Sequence, residues 1–131
     1  MLSDDDLERY ARQAIMPAIG EEGQEQLLAA RVLVVGAGGL GAPVIMYLAA
    51  AGIGTITIID DDHVSRTDLN RQVIYKDSDV GLLKSQQAAM AARAINPAIH
   101  ISQLGQRISS CLLYTSPSPR DRTRSRMPSS A

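Results

Sequence analysis

A single cysteine in 131 residues removes two architectures at once. An internal disulfide needs a pair and a cysteine-rich zinc site needs several, so neither lies within this chain. The sequence also lacks any run of 18 apolar residues, and no basic-then-apolar leader opens it. Neither a membrane span nor a secretory signal is expected, and a cytoplasmic protein is the default. No internal repeat, linker or second domain is visible, and the length suits one modest domain. With 45% apolar and 21% charged residues, the composition is that of a soluble globular protein.

Net charge is nearly absent, 13 Lys/Arg against 14 Asp/Glu, but its distribution is uneven. Residues 1–110 carry 9 Lys/Arg against 13 Asp/Glu, a net −4, whereas residues 111–131 carry four Arg and one Asp, a net +3. A basic Ser/Pro/Arg tail ordinarily suggests a nucleic-acid or membrane arm. Here the run Cys111-Leu-Leu-Tyr-Thr-Ser-Pro-Ser-Pro-Arg-Asp121 matches the translation of one frame of a transposase-based sequencing adapter. Arg122–Arg124 fill its variable index, and Ser125-Arg-Met-Pro-Ser-Ser-Ala131 continues its constant part. Residues 111–131 are therefore read as a non-native tail and set aside, and no nucleic-acid or membrane partner is expected.

The organising stretch is Val32-Leu-Val-Val-Gly36-Ala-Gly38-Gly39-Leu-Gly41. Four consecutive aliphatics indicate a buried parallel strand. Gly36, Gly38 and Gly41 fit G-x-G-x-x-G, in which the glycines permit a tight turn, close approach of backbone N–H groups to a phosphate, and packing of helix on strand. An alanine-rich helix over 40–51 would present its positive end to that phosphate. Ile56-Thr-Ile-Ile59 is the next strand, closed by Asp60 nineteen residues after Gly41, where a carboxylate can accept from a ribose. The pattern is a nucleotide-binding βαβ unit, and by itself it favours a dinucleotide.

Around this unit, Ser3 and Asp6 cap a helix over 4–15 that carries Arg9, Arg12 and Gln13 on one face. For an isolated helix that face is simply solvated. Gly20 and Gly23 are expected to flank a loop, with a short helix over Glu25–Ala30 leading into the first strand. The polar run Asp60-Asp-Asp62-His63-Val-Ser-Arg-Thr-Asp68-Leu-Asn70-Arg71-Gln72 follows a strand's C-terminal end, where open α/β sheets bind ligands. His63 has no neighbours that make a metal set. A helix over 83–95, stopped by Asn96-Pro97, places Lys84 in its first turn. The helix dipole disfavours a cation there unless an anion lies nearby. Ile99–Leu104 alternates as a third strand. The expectation is α/β: a Rossmann-like parallel sheet with N-terminal helices, the start of a three-layer arrangement.

Residues 1–110 resemble the N-terminal half of the ThiF/MoeB/HesA enzymes, relatives of the ubiquitin-activating E1 adenylation domain. The resemblance rests on ordered motifs: Arg9-Tyr10-x-Arg12-Gln13, Gly23-Gln24-x-x-Leu27, Val34-Val-Gly36-x-Gly38-Gly39-Leu40-Gly41, Gly52-Ile53-Gly54, Asp60-x-Asp62-x-Val64, Leu69-Asn70-Arg71-Gln72, Gly81-x-x-Lys84 and Ile95-Asn96-Pro97. It implies ATP and Mg²⁺ rather than a dinucleotide, and adenylation of the C-terminal carboxylate of a small β-grasp, ubiquitin-like sulfur-carrier protein by a homodimer. By the same resemblance Gly36, Gly38, Gly39, Gly41, Asp60 and Asp62 belong to the nucleotide site, with Asp60 on the ribose. Asp68 and Asn70 lie beside the phosphates, Arg71 and Lys84 bind them, and Arg12 reaches the partner subunit's ATP.

The family often has Asn where this chain has Asp68, and a carboxylate beside a triphosphate needs Mg²⁺ or water between them. The Mg²⁺-coordinating Asp, the C-x-x-C zinc motifs and any catalytic cysteine fall beyond residue 110. Residues 1–110 are thus read as the N-terminal part of a longer adenylation domain, inactive as a fragment. Two other classes compete: a NAD-binding oxidoreductase fragment, which leaves Asn70-Arg71-Gln72 and Lys84 unexplained, and a non-catalytic binding or dimerisation module. Genomic reads through codon 111 are expected to continue a ThiF-type frame; reads that keep the written tail would remove the adapter reading.

Overall fold

The computed structural model describes residues 1–108. The expectations for 111–131, including an unpacked tail, lie outside the described residues. The order of elements is α1 (Asp4–Ala14), α2 (Gly20–Ala29), β1 (Arg31–Val35), α3 (Gly41–Ala51), β2 (Thr55–Ile59), α4 (Lys84–Ile95) and β3 (His100–Leu104). Two single 3₁₀ turns, Arg66–Asp68 and Asp77–Asp79, fill the long connection before α4.

The three strands are parallel in the order β1-β2-β3, with Val34, Ile58 and Gln103 in register across the sheet. Right-handed crossovers through successive neighbours put α3 and α4 on the same face, where they pack against each other and on the strands. Val34, Ile56, Ile58 and Ile101 point into that face and form the core with Ala42, Ile45, Ala49, Ala88, Ala89 and Ala92. Alanines at these helix positions let both helices sit close to a flat row of β-branched side chains. The opposite face, with Leu33, Val35 and Thr57, remains half-buried, and a 2.9 Å hydroxyl bond joins Thr57 to Ser102 across it. The arrangement among the described residues is therefore two layers, not the expected three. The period-two pattern places side chains on faces but does not say which face a crossover helix covers.

The strand and helix positions otherwise agree with the pattern to within a residue or two, except at α2. That helix begins at Gly20, so Gly23 is inside it rather than beside a loop. A Cβ at Gly23 would sit 3.1 Å from Ile19 Cγ2, so the glycine lets the first turn close over Ile19. The burial of Gln24 then holds the helix down.

The two N-terminal helices are locked to the far end of α3 by polar groups. Helix α1 begins with a capping box, Asp6 N–H donating to Ser3 Oγ at 3.1 Å and Ser3 N–H to the Asp6 carboxylate at 3.2 Å. At the other end of α1, the Gln13 amide donates to the last carbonyl of α3, Ala51 O, at 2.7 Å and also to Gln24. Gln24 donates to the same carbonyl at 3.2 Å. These bonds satisfy the orphan acceptors that a helix C-terminus leaves. Gly52 closes α3 in the left-handed region at φ +89, and any Cβ there would meet the Tyr10 ring at 2.6 Å. Asn96, fully buried, donates from Nδ2 to Tyr10 Oη at 2.7 Å and to Ala49 O at 2.9 Å. The motifs around Tyr10, Gln13, Gln24, Gly52 and Asn96 thus form one structural joint.

Asn96→Ala leaves the Ala49 carbonyl and the Tyr10 hydroxyl without these partners. It is expected to lower the unfolding free energy of the intact protein in urea by about 1–3 kcal/mol. A loss below about 0.5 kcal/mol, the scale of an ordinary surface substitution, would show that the joint does not depend on this amide.

Candidate functional site

A cleft of about 220 Å³ opens at the C-terminal edge of the sheet, lined by Gly36, Gly38, Asp60, Asp62, Lys84 and Arg107 among others. It is the place where parallel α/β sheets bind ligands. Its floor is the glycine loop. Gly36 takes φ +92, and its N–H is fixed to Ile59 O at 2.8 Å, which continues the β1–β2 pairing one residue past the strand. A Cβ on Gly41 would lie 1.9 Å from Gly36 O, so only glycine lets α3 begin that close to the loop. Gly39 differs: a Cβ there would meet nothing within 4 Å. Protein packing does not demand glycine at 39, so the open space over the N-terminus of α3 is available to a ligand.

Asp60 ties the two sides of the cleft together. Its Oδ2 accepts from Ala37 N–H at 2.7 Å and its Oδ1 from Asp62 N–H at 2.7 Å. Each carboxylate oxygen keeps a further lone pair for a ligand hydroxyl. The carbonyl of Asp62 accepts from Lys84 N–H at 2.9 Å, and His63 pairs with Leu83 in an isolated antiparallel bridge. This short ribbon delivers α4, and Lys84 with it, to the cleft.

Lys84 is buried, and its ammonium lies 3.3 Å from Asp68 Oδ2. Asp68 also accepts from Ser65 N–H at 3.0 Å and from the Gln72 amide at 3.4 Å, with the Arg71 guanidinium 3.8 Å away. The Ser65 bond, reinforced by the positive charges of Lys84 and Arg71, holds the Asp68 carboxyl below its usual range against the opposing effect of burial. The carboxylate is thus turned toward Lys84 and away from the cleft lining. It also supplies the anion that makes a lysine tolerable in the first turn of α4.

The structure brings Gly36, Gly38, Asp60, Asp62 and Lys84 together at the cleft, with Asp68 behind Lys84. Asn70 and Arg71 are exposed beside it, and Arg71 donates to Thr67 O at 3.0 Å and Asn70 Oδ1 at 3.2 Å rather than lining the cleft. Arg12 is exposed near the opposite end of α3. Its neighbour Gln13 is bonded at the C-terminal end of α3, whose 11 residues make a helix about 16 Å long with the glycine loop at its other end.

Sequence reasoning missed Arg107, which follows β3 and faces Asp61 at 3.9 Å, and Tyr75, whose hydroxyl reaches the glycine loop. Neither lies in a motif with a periodic or spacing signal. Among the described residues no group of three His, Cys, Asp or Glu could hold a metal ion. Nor is any helix among them long and apolar enough to cross a membrane.

A family model, the ThiF family, matches residues 10–121. The chain belongs to the ThiF family. It is 50% identical over 102 residues to the SAMP-activating enzyme E1 of Haloferax volcanii, covering 78% of this chain and 38% of that protein. It is 53% identical over 100 residues to the probable adenylyltransferase/sulfurtransferase MoeZ of Mycobacterium tuberculosis, covering 76% of this chain and 26% of that one. Among solved structures, E. coli tRNA N6-threonylcarbamoyladenosine dehydratase, TcdA, in complex with ATP superposes with a TM-score of 0.82 at 32% identity. That match covers 90% of this chain and 49% of TcdA. The chain therefore spans less than half the length of these relatives. Membership of this family supports the parallel, Rossmann-type sheet and the nucleotide reading of the ThiF chain's glycine loop.

Because Asp68 has a lowered folded-state pKa, its contribution to stability is present above the ordinary carboxylate value of about 3.9. It is lost as pH falls from there through the lowered value. Asp68→Asn is expected to flatten the acid limb of the stability–pH curve below about pH 4, measured by urea unfolding at successive pH values. Parallel acid limbs in the two proteins would remove Asp68 from the linkage.

Proposed function

We propose that this chain is the nucleotide-binding front of an ATP-dependent adenylyltransferase. Its substrate is the C-terminal carboxylate of a ubiquitin-like sulfur-carrier protein. Residues 1–110 are the N-terminal part of that domain, and 111–131 are a non-native tail. The observation that carries the reading is a buried lysine, Lys84, lining the cleft opposite a glycine loop with open space at Gly39. The names of the relatives, a SAMP-activating E1 and an adenylyltransferase/sulfurtransferase, point the same way.

The chemistry suits the residues. When a carboxylate attacks an α-phosphate, negative charge grows on phosphorus and on departing pyrophosphate, and fixed positive groups lower that barrier. The N-terminus of α3 and the amides of the glycine loop hold the phosphates alike before and during the reaction, so the growth of charge falls to the side-chain cations. The Lys84 ammonium has three protons, so it can keep Asp68 and still point one into the cleft. Arg71 must leave Thr67 O and Asn70 to reach a phosphate, and exposed bonds of that kind cost little to exchange for water or ligand. Asp60 takes the ribose, Asp62 lines the approach, and Asn70 lies beside the phosphates. Arg12, about one helix length from its own cleft, serves the site of a second subunit. Mg²⁺ travels with the triphosphate and is coordinated by groups beyond the described residues, as is any zinc. The protein acts in the cytoplasm as a homodimer.

Carrier-protein-dependent ATP–pyrophosphate exchange by the intact protein tests the reading; no exchange with any sulfur-carrier protein would refute it. Lys84→Ala and Arg71→Ala are each expected to slow exchange at least about a hundredfold, the scale of losing one preorganised charge donor. Mixing Arg12→Ala with Lys84→Ala subunits should recover part of the activity, since a heterodimer carries one site with both residues intact. Absence of recovery in mixtures shown to exchange subunits would return Arg12 to a solvated face.

A further inference from the structure

Tyr75 takes no part in the cleft lining, yet it is 5% exposed and its side chain reaches the back of the glycine loop. Its hydroxyl donates to the carbonyl of Ala37 and lies 3.5 Å from the carbonyl of Lys84. Ala37, fully buried, stands between the first two glycines of the loop. The N–H of Ala37 is already held by Asp60. Both polar groups of this residue are therefore bound, one by a side chain after β2 and the other by Tyr75.

Tyr75 is itself fixed. Its N–H donates to Gln72 O at 3.1 Å, and Gln72 N–H donates to Asp68 O at 2.8 Å. One strap of chain thus runs from the partner of Lys84 to the back of the glycine loop. The geometry points to Tyr75 as a positioning residue for nucleotide binding: through its hydroxyl it sets the glycine loop against the first turn of α4. The assignment rests on the nucleotide reading proposed above.

The chemistry of the phenol favours a donor. Burial pushes its pKa far above the ordinary value, and the negative charges of Asp60, Asp68 and Asp79 push it further. A protonated phenol can satisfy the carbonyl of a fully buried alanine, which would otherwise be left without that partner. A glycine-rich loop loses much backbone freedom when it is ordered, so a side-chain clamp on Ala37, between its first two glycines, has a large effect on its order.

Tyr75→Phe in the intact protein isolates the hydroxyl, because the ring and its packing remain. Three measurements separate the outcomes. Amide hydrogen exchange at Gly36 and Ala37 is expected to speed up about tenfold, the scale of one buried hydrogen bond, while amides within β1, β2 and α3 keep their rates. The dissociation constant for ATP should rise about tenfold with kcat changed less than about twofold, since the loop meets ground state and transition state alike. The thermal midpoint should move by no more than a few degrees.

Unchanged exchange in the loop with unchanged ATP affinity would overturn the assignment, leaving Tyr75 as a space filler. Faster loop exchange without a loss of affinity would also overturn it, as would a general loss of stability that raises exchange throughout the sheet. Should the unsubstituted protein bind no ATP, the functional reading fails by itself. The assignment, as a claim about nucleotide binding, then fails with it, and the exchange data report only whether the clamp exists.

Discussion

The carboxylate of Asp60 is the constraint on which the rest of the site depends. It sits one residue past β2 and accepts an amide from each flank, Ala37 after β1 and Asp62 after β2. Parallel strands place their C-terminal loops side by side, but nothing in the ladder fixes the loops to one another. Asp60 provides that link with two charge-assisted bonds, stronger than neutral ones. Once the Ala37 peptide is held, the glycine loop faces the N-terminus of α3. Once the Asp62 peptide is held, its carbonyl can start α4 at Lys84. A residue read from sequence as a ribose ligand is therefore also the frame of the cleft. Its substitution disturbs loop geometry before it removes any ligand contact.

What was legible in the sequence is what is local. The aliphatic run of β1, the glycine spacing and the position of Asp60 each follow from contacts between near neighbours, and the structure places them as expected. The capping box of α1 is equally local, being settled within four residues. The joint at the far end of α3 is the opposite case. Asn96 and Tyr10 are bonded across 86 residues of chain, and no periodicity marks a buried asparagine that satisfies a tyrosine hydroxyl. The motifs containing these residues were recognisable through resemblance alone, and their physical role emerged only when the helices were packed. The same holds for α2, whose start at Gly20 depends on burial of Gln24 rather than on propensity.

The pairing of Lys84 with Asp68 shows why a single departure from a family pattern need not break a site. A lysine buried in the first turn of a helix faces both desolvation and the positive end of the dipole. Asn at position 68 could offer it a hydrogen bond but no charge. Asp offers both, and the Ser65 amide and Gln72 absorb the carboxylate's remaining capacity. The negative charge is thereby directed at Lys84 rather than at the cleft. The cation keeps protons that Asp68 does not take, and these remain on the side of the cleft that Lys84 lines.

These contacts divide helix α3 between two tasks. Its N-terminus, drawn close to the loop by Gly41 and open at Gly39, is left accessible to a ligand. Its C-terminus, whose carbonyls Ala49 and Ala51 are taken by Asn96, Gln13 and Gln24, is closed to one. Because α1 is fastened at that closed end, its arginine face is carried away from the chain's own cleft with a fixed orientation. A rigid helix of 11 residues thus converts a joint at one end into a defined placement of Arg12 relative to the other.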